Sequence, residues 1–78
     1  MITGEQIKAA RALVRMGQGD LADRSGLSVD TIKRLEGLRG PSSANTTTET
    51  ALRSAFDAVG VIILDEGAEG AGVRLRKA

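Results

Sequence analysis

The sequence predicts a small, mainly α-helical domain of four to five helices that ends in a β-hairpin. Apolar residues recur at helical spacing through the first 60 residues, between capping residues and glycines. From Val61 onward the pattern changes to a β-branched run followed by alternating residues. With 78 residues the chain is long enough for one small domain, which excludes a multi-domain enzyme.

The first predicted helix runs from Gly4 to about Met16. Thr3 and Gln6 have the spacing of a capping box, in which each side chain bonds the backbone N–H of the other residue. The apolar side of this helix carries Ile7, Ala10, Leu13 and Val14. The opposite side carries Lys8, Arg11 and Arg15. The helix therefore has one face for a core and one for solvent.

Two short helices are predicted next, from Gln18 to Ser25 and from Val29 to Glu36. Gly26 can adopt the positive φ that ends the first of them, and Ser28 can cap the second. The inward residues of the second helix are Ile32 and Leu35, and its outward residues are Asp30, Lys33, Arg34 and Gly37.

The segment from Gly37 to Thr48 is rich in turn-forming residues and predicts a loop. Thr46 and Glu49 repeat the capping-box spacing and open a fourth helix. Gly60 is placed as the stop of that helix.

The end of the chain predicts a β-hairpin. The run from Val61 to Leu64 is apolar and β-branched, a glycine-rich turn follows, and Val73 to Arg76 alternates with period two. We therefore divide the chain into a helical domain of residues 1–60 and a hairpin of residues 61–78.

Composition excludes several kinds of chemistry. The chain has no cysteine and no histidine, the residues that zinc sites and most nucleophile–base pairs need. It also has no glycine-rich phosphate loop followed by a nucleotide-binding βαβ unit. We therefore expect no enzyme activity, no cofactor and no metal, and the sequence indicates no small-molecule effector.

Hydropathy predicts a cytoplasmic protein without a membrane partner. The longest apolar run, Val61 to Leu64, is far shorter than the roughly 20 residues of a membrane-spanning helix. The first residues also lack the charged and apolar regions of a signal peptide.

Basic residues are concentrated in the first half of the chain. Residues 8–39 contain seven basic and four acidic side chains, a net charge of +3, whereas residues 40–78 contain four and five, a net charge of −1. A positive segment of this kind favours a polyanionic partner.

The stretch from Gln18 to Leu35 has the spacing of a helix-turn-helix, in which a tight turn joins two steeply crossing helices. Ala22 is small enough for the helices to approach closely, and Gly26 permits the turn. The apolar wedge between the helices comprises Leu21, Ile32 and Leu35.

This arrangement resembles the Cro/cI-type helix-turn-helix transcriptional regulators, also called the XRE family. The resemblance covers about residues 3–60. It rests on Ile7, Ala10, Arg11, Gln18, Leu21, Ala22, Gly26, Leu27, Ser28, Ile32, Leu35 and Glu36. The hairpin is similar to one that small members of the family append. The resemblance implies a lambda-repressor-like fold that binds double-stranded DNA.

The resemblance also implies roles for individual residues. Those facing base edges are Ser28, Val29, Asp30 and Arg34, and those near the phosphate backbone are Gln18, Thr31, Lys33 and Arg39. Arg11 and Glu36 match a pair that in this family often forms a partly buried salt bridge. Gly19 in the second helix and the segment from Gly40 to Asn45 depart from the family's pattern.

The side-chain chemistry agrees with the base-reading roles. Arg34 can donate two hydrogen bonds to guanine, Asp30 can accept one from cytosine, and Val29 can pack on a thymine methyl. Each residue also has a simpler explanation. Arg34 and Lys33 suit a solvated face, Asp30 favours the helix dipole, and Val29 can belong to the core.

The predicted function is a sequence-specific DNA-binding transcriptional regulator, a repressor rather than an activator, that binds a two-fold operator as a homodimer. We expect residues 61–76 to pair the subunits, because Val61 to Leu64 is too apolar for an exposed strand edge. The alternative is an antitoxin or protein-interaction module in which the hairpin edge binds a partner protein and DNA binding is secondary.

Overall fold

A computed structural model describes residues 2–38, 45–65, 67 and 70–76 of the chain. Within these residues the elements are α1 (Gly4–Leu13), α2 (Gln18–Ser25), α3 (Val29–Glu36), α4 (Thr46–Ala58), β1 (Val61–Leu64) and β2 (Gly72–Leu75). The predicted class is confirmed in its coarse form, since the fold is mostly helical and ends in a two-stranded antiparallel hairpin. None of these helices is long and apolar enough to cross a membrane.

The predicted caps of α1 and α3 are confirmed. The Gln6 N–H donates to Thr3 Oγ1 at 3.0 Å, and the Thr3 N–H donates to Gln6 Oε1 at 2.8 Å. Ser28 Oγ accepts the N–H of Thr31 at 3.1 Å. Between α2 and α3, Gly26 has a φ of 75°, so the left-handed turn falls where the glycine predicts it.

Helix α1 is shorter than predicted. It ends at Leu13 rather than Met16, because Arg15 adopts a left-handed conformation with a φ of 54°. The Met16 N–H then bonds back to the Arg11 carbonyl at 2.9 Å, which directs the Met16 side chain into the core. Leu13, predicted for the buried side, is instead 41% exposed.

The cap of α4 lies one residue before the predicted one. Asn45 Oδ1 accepts the Thr48 N–H at 2.8 Å, and Thr46 is the first helical residue. Glu49, predicted to close a capping box, accepts the backbone N–H of Ile2. Asparagine and threonine are both good caps, so the local pattern offered two neighbouring starts.

In the part of the chain that the structure describes, a hydrophobic core joins the helices to the hairpin. It comprises Ile2, Ile7, Ala10, Met16, Leu21, Ala22, Ile32, Leu35, Leu52, Ala55, Phe56 and Val61. Phe56, the only aromatic residue of the sequence, is fully buried. The predicted hairpin unit therefore shares its core with the predicted helical unit.

The strands pair with Val61 opposite Leu75 and Ile63 opposite Val73. Val61, Ile63 and Val73 pack against the helices, because alternate strand residues point to the same face. Strand β2 begins and ends one residue earlier than predicted, at Gly72–Leu75.

Gln6 fastens the hairpin to α1. Its Nε2 donates to the carbonyl oxygens of Leu64, at 2.7 Å, and Gly72, at 3.1 Å, which belong to the last residue pair before the hairpin turn. Its Oε1 accepts the Thr3 N–H, so a single buried amide serves both the helix cap and the hairpin.

Candidate functional site

Helix α3 has one fully buried face. Ile32 and Leu35 are inaccessible to solvent, and α2 contributes Leu21 and Ala22 to the same core. Gly26 turns the chain between the two helices. The side of α3 opposite Ile32 and Leu35 is consequently directed outward.

The outward side of α3 is polar and charged. Its exposed residues, here called the polar face, are Asp30, Lys33, Arg34 and Gly37. Their exposure agrees with the prediction from spacing. Within the part of the chain that the structure describes, no residue forms an ion pair with the three charged members of this face. Their charged groups are therefore not held by the described residues of the chain itself.

Two further predicted contact residues are engaged with each other at the start of α3. The Ser28 hydroxyl donates to Thr31 Oγ1 at 2.9 Å while accepting the Thr31 N–H. Ser28 is exposed and Thr31 is half-buried. Because Thr31 Oγ1 acts here as an acceptor, its own hydroxyl hydrogen remains a donor for another group.

Val29 lies at the boundary between the core and the surface. It is half-buried and packs against the hydrophobic core. The core-packing explanation of this residue is therefore supported, while part of its side chain stays accessible next to the polar face.

The predicted pair of Arg11 and Glu36 is confirmed as a two-point salt bridge. Arg11 Nε lies 2.6 Å from Glu36 Oε2, and Arg11 Nη2 lies 2.8 Å from Glu36 Oε1. The Glu36 side chain is only 6% exposed. Its hydrogen bond raises the pKa of Arg11 above the usual value, despite the opposing effect of burial. This pair joins α1 to the end of α3.

Gln18 joins the same cluster. Its Nε2 donates to Glu36 Oε1 at 3.0 Å, so the first residue of α2 contacts the last residue of α3. Arg11 Nη1 in addition donates to the Met16 carbonyl at 3.0 Å, which holds the turn between α1 and α2. We call Arg11, Gln18 and Glu36 the Glu36 cluster. The phosphate contact expected for Gln18 from the resemblance lies outside the chain, and its contact with Glu36 within the chain was not predicted.

Gly4 packs directly on the end of α3. A Cβ atom at this position would lie 2.5 Å from the Leu35 carbonyl oxygen and 2.9 Å from those of Glu36 and Leu38. All three are backbone atoms. The first turn of α1 therefore supports the end of α3 at a distance that only glycine allows, a role that the sequence analysis did not predict.

Arg39 and most of the departing segment from Gly40 to Asn45 lie outside the described residues. Gly19, the other departure, is exposed in α2 and has open space around its Cα atom. Among the residues that the structure describes, no three carboxylates are grouped so as to hold a metal ion.

The site thus combines the charged polar face with a buried cluster behind its far end. No protein-family model and no curated protein matches this chain.

Proposed function

We propose that the protein is a sequence-specific DNA-binding transcriptional regulator, a repressor of the Cro/cI type. In this proposal α2 and α3 form the helix-turn-helix of a lambda-repressor-like fold. The observation that carries the proposal is the polar face, with Asp30, Lys33 and Arg34 exposed on a helix whose other side is fully buried.

The dimensions of α3 suit the major groove of DNA. An α-helix with its side chains is about 10–12 Å across and the major groove is roughly 12 Å wide, so the eight residues of α3 can lie within it. Arg34 then reads guanine and Asp30 reads cytosine, while Ser28 and the accessible part of Val29 contact neighbouring bases.

Phosphate contacts position α3 in the groove without reading sequence. We assign this role to Lys33 on the polar face, to the free hydroxyl hydrogen of Thr31 and to the Gln18 amide at the start of α2. Arg39, outside the described residues, keeps the same proposed role.

We also propose that two copies pair through residues 61–76 on a two-fold operator. The sequence suggested pairing because the run from Val61 to Leu64 is too apolar for an exposed strand edge. This reason holds only in part, because Val61 is 1% exposed and already packs within its own chain. What supports pairing now is the two leucine side chains that remain exposed on the hairpin, Leu64 beside its turn at 37% and Leu75 at its open end at 50%. A small helix reads few base pairs, so a second copy extends the site.

The direct test is selection of bound duplexes from a random-sequence pool, followed by footprinting on the enriched sequence. We expect a two-fold sequence whose half-sites lie about 34 Å apart or a multiple of that distance. A pool without enrichment would contradict sequence-specific binding and would favour the alternative, in which the hairpin edge binds a partner protein.

Two variants of the polar face separate base reading from phosphate contact. Arg34→Ala should weaken binding to the selected duplex by about 1–3 kcal/mol and relax the preference at one base position. Lys33→Ala should weaken binding to the selected and random duplexes alike. It should also reduce the slope of log affinity against log salt concentration by about one. An equal loss on both duplexes for Arg34→Ala would argue against base reading by that residue.

A further inference from the structure

The Glu36 carboxylate connects three elements at one buried point. It accepts hydrogen bonds from Arg11 in α1, at 2.6 and 2.8 Å, and from Gln18 in α2, at 3.0 Å. Glu36 itself is the last residue of α3. A carboxylate that is 6% exposed and held from two sides has little freedom to move. It therefore holds the side chains that bind it in a fixed position.

The Gln18 amide has a donor left over. A carboxamide nitrogen carries two hydrogens, and the bond to Glu36 uses one of them. Gln18 is half-buried, so its amide reaches from the cluster to the surface at the first turn of α2. Since the bond to Glu36 fixes the amide's orientation, it also fixes the direction of the second N–H.

We propose that Glu36 is a positioning residue of the DNA interface, which aims the second N–H of the Gln18 amide at a phosphate oxygen. This inference rests on the proposed function. Glu36 terminates the helix that enters the groove, and Gln18 begins the helix that contacts the backbone. The buried bond between them thus sets the phosphate contact relative to α3.

A purely structural role for Glu36 makes a different prediction. If Glu36 only neutralises Arg11, its removal lowers stability, but the contribution of Gln18 to DNA binding stays the same. If Glu36 positions Gln18, the contribution of Gln18 disappears together with Glu36. A double-mutant cycle in DNA affinity measures this difference directly.

The cycle uses Gln18→Ala in two backgrounds, the wild-type chain and the variant Arg11→Met with Glu36→Leu. Replacing a buried ion pair by apolar residues of similar size generally preserves folding, whereas removing one partner leaves a buried charge. If that double replacement does not fold, Arg11→Leu with Glu36→Met provides the second background, because neither new side chain offers an oxygen acceptor to Gln18. Circular dichroism melting establishes the temperature at which all variants are folded, and binding is measured there.

The probes are the duplex selected from the random pool and a random-sequence duplex of equal length. In the wild-type background, Gln18→Ala should weaken binding to both by about five- to tenfold, the range of one net hydrogen bond. In the background without Glu36, the same substitution should change affinity less than about twofold.

Lys33→Ala provides the matched control. Lys33 is exposed on α3 and makes none of the hydrogen bonds of the Glu36 cluster, so its effect should be equal in both backgrounds. An equal effect of Gln18→Ala in the two backgrounds overturns the inference while leaving DNA binding intact. A background-dependent effect of Lys33→Ala overturns it as well, because the loss is then not specific to Gln18. A wild-type chain that binds neither duplex refutes the proposed function and the inference together.

Discussion

Gly4 illustrates how one residue can set the distance between two helices. Of the three carbonyl oxygens around it, two belong to the last residues of α3 and one to Leu38 just after the helix, so they cannot shift without moving backbone. The support of α3 therefore depends on a position that carries no side chain.

We expect Gly4→Ala to lower the free energy of unfolding by about 1–3 kcal/mol, because the added methyl group must displace backbone rather than a flexible side chain. Urea unfolding followed by circular dichroism measures the change. Gly19→Ala is the matched control, since a Cβ there meets nothing and should stabilise α2 by about 0.5–1 kcal/mol. A Gly4→Ala variant as stable as the wild type would mean that α1 and α3 can separate freely.

Residue-scale features were predictable where they depend on near neighbours. The cap formed by Thr3 and Gln6, the cap at Ser28 and the turn at Gly26 all involve residues at most four positions apart. The pairing of Arg11 with Glu36 came from the family resemblance. The contact of Gln18 with Glu36 and the confinement of Gly4 depend on the approach of separate helices, which local spacing does not encode.

At the scale of elements, the amide of Gln6 connects a helix start to the end of a hairpin. Gln6→Glu should keep the cap, because a carboxylate at this position can also accept the Thr3 N–H. The variant should lose the two hydrogen bonds to the hairpin, because a carboxylate oxygen, which is an acceptor, then faces the carbonyl oxygens of Leu64 and Gly72.

We expect Gln6→Glu to lower the free energy of unfolding at pH 7 by about 1–3 kcal/mol, the cost of leaving buried polar groups unpaired. Thermal unfolding at neutral and acidic pH checks this. Protonation of the introduced carboxylate restores one donor, so the loss in free energy of unfolding relative to the wild type should shrink as the pH falls. If the variant were as stable as the wild type at pH 7, the carbonyl groups of Leu64 and Gly72 would not need this donor.

Helix α4 is joined to the end of β1 by Arg53. Its Nη2 lies 2.6 Å from Asp65 Oδ1 and 3.3 Å from Glu49 Oε1. The hydrogen bond from Arg53 holds the pKa of Asp65 below its usual value of 3.8. A carboxyl group with a lowered folded-state pKa stabilises the fold above its unfolded pKa, and this contribution is lost as the pH falls through the folded value.

Asp65→Asn should therefore reduce the free energy of unfolding at pH 7 by at most about 1 kcal/mol, because the pair is largely exposed. The difference from the wild type should vanish as the pH is lowered well below 3.8. Urea unfolding at a series of pH values tests this, with Asp23→Asn on the exposed surface of α2 as the control. A difference that grows on acidification would contradict the assignment.

The errors at element ends have identifiable causes. A left-handed conformation is uncommon for a residue other than glycine, so the pattern placed the end of α1 next to Gly17 and not at Arg15. At α4, Asn45 and Thr46 are adjacent residues of similar capping strength. Both errors amount to a few residues, whereas the order and type of the elements were predicted correctly.

At the scale of the whole molecule, the sequence predicted that the apolar strand is buried against α4 around Phe56 and Val59, but only as part of a sheet shared by two subunits. An apolar run such as Val61 to Leu64 suits either an internal core or an interface between subunits. In the structure the run belongs partly to the core and partly to the surface: Val61 is buried, Ile63 packs on the core and Leu64 is exposed. The candidate interface is therefore narrower than the sequence suggested.

A variant that tests the dimer must change an exposed residue of the hairpin and not one that packs on the core. A glutamate at Ile63 should unfold the domain, because Ile63 packs on the core. Leu75→Glu, at an exposed position, should weaken self-association and operator binding at least about tenfold while changing the free energy of unfolding of the subunit by less than about 0.5 kcal/mol. Sedimentation and titration of the selected duplex measure both effects.

Leu13→Glu serves as the control for this test, because Leu13 is an exposed leucine outside the hairpin. It should leave the subunit association unchanged. If Leu75→Glu remains dimeric with full operator affinity, the hairpin is not the interface and α4 becomes the better candidate.

The shared core has a further consequence for the dynamics of the chain. Because Val61 is buried with Phe56 and Leu52, the hairpin cannot detach without exposing the centre of the domain to water. Its opening free energy should then approach that of global unfolding, and the paired strand amides should exchange their hydrogens with solvent about as slowly as the buried helix amides. The described part of the chain should then unfold as one cooperative unit, so that the surface proposed to bind DNA and the surface proposed to pair subunits are lost together.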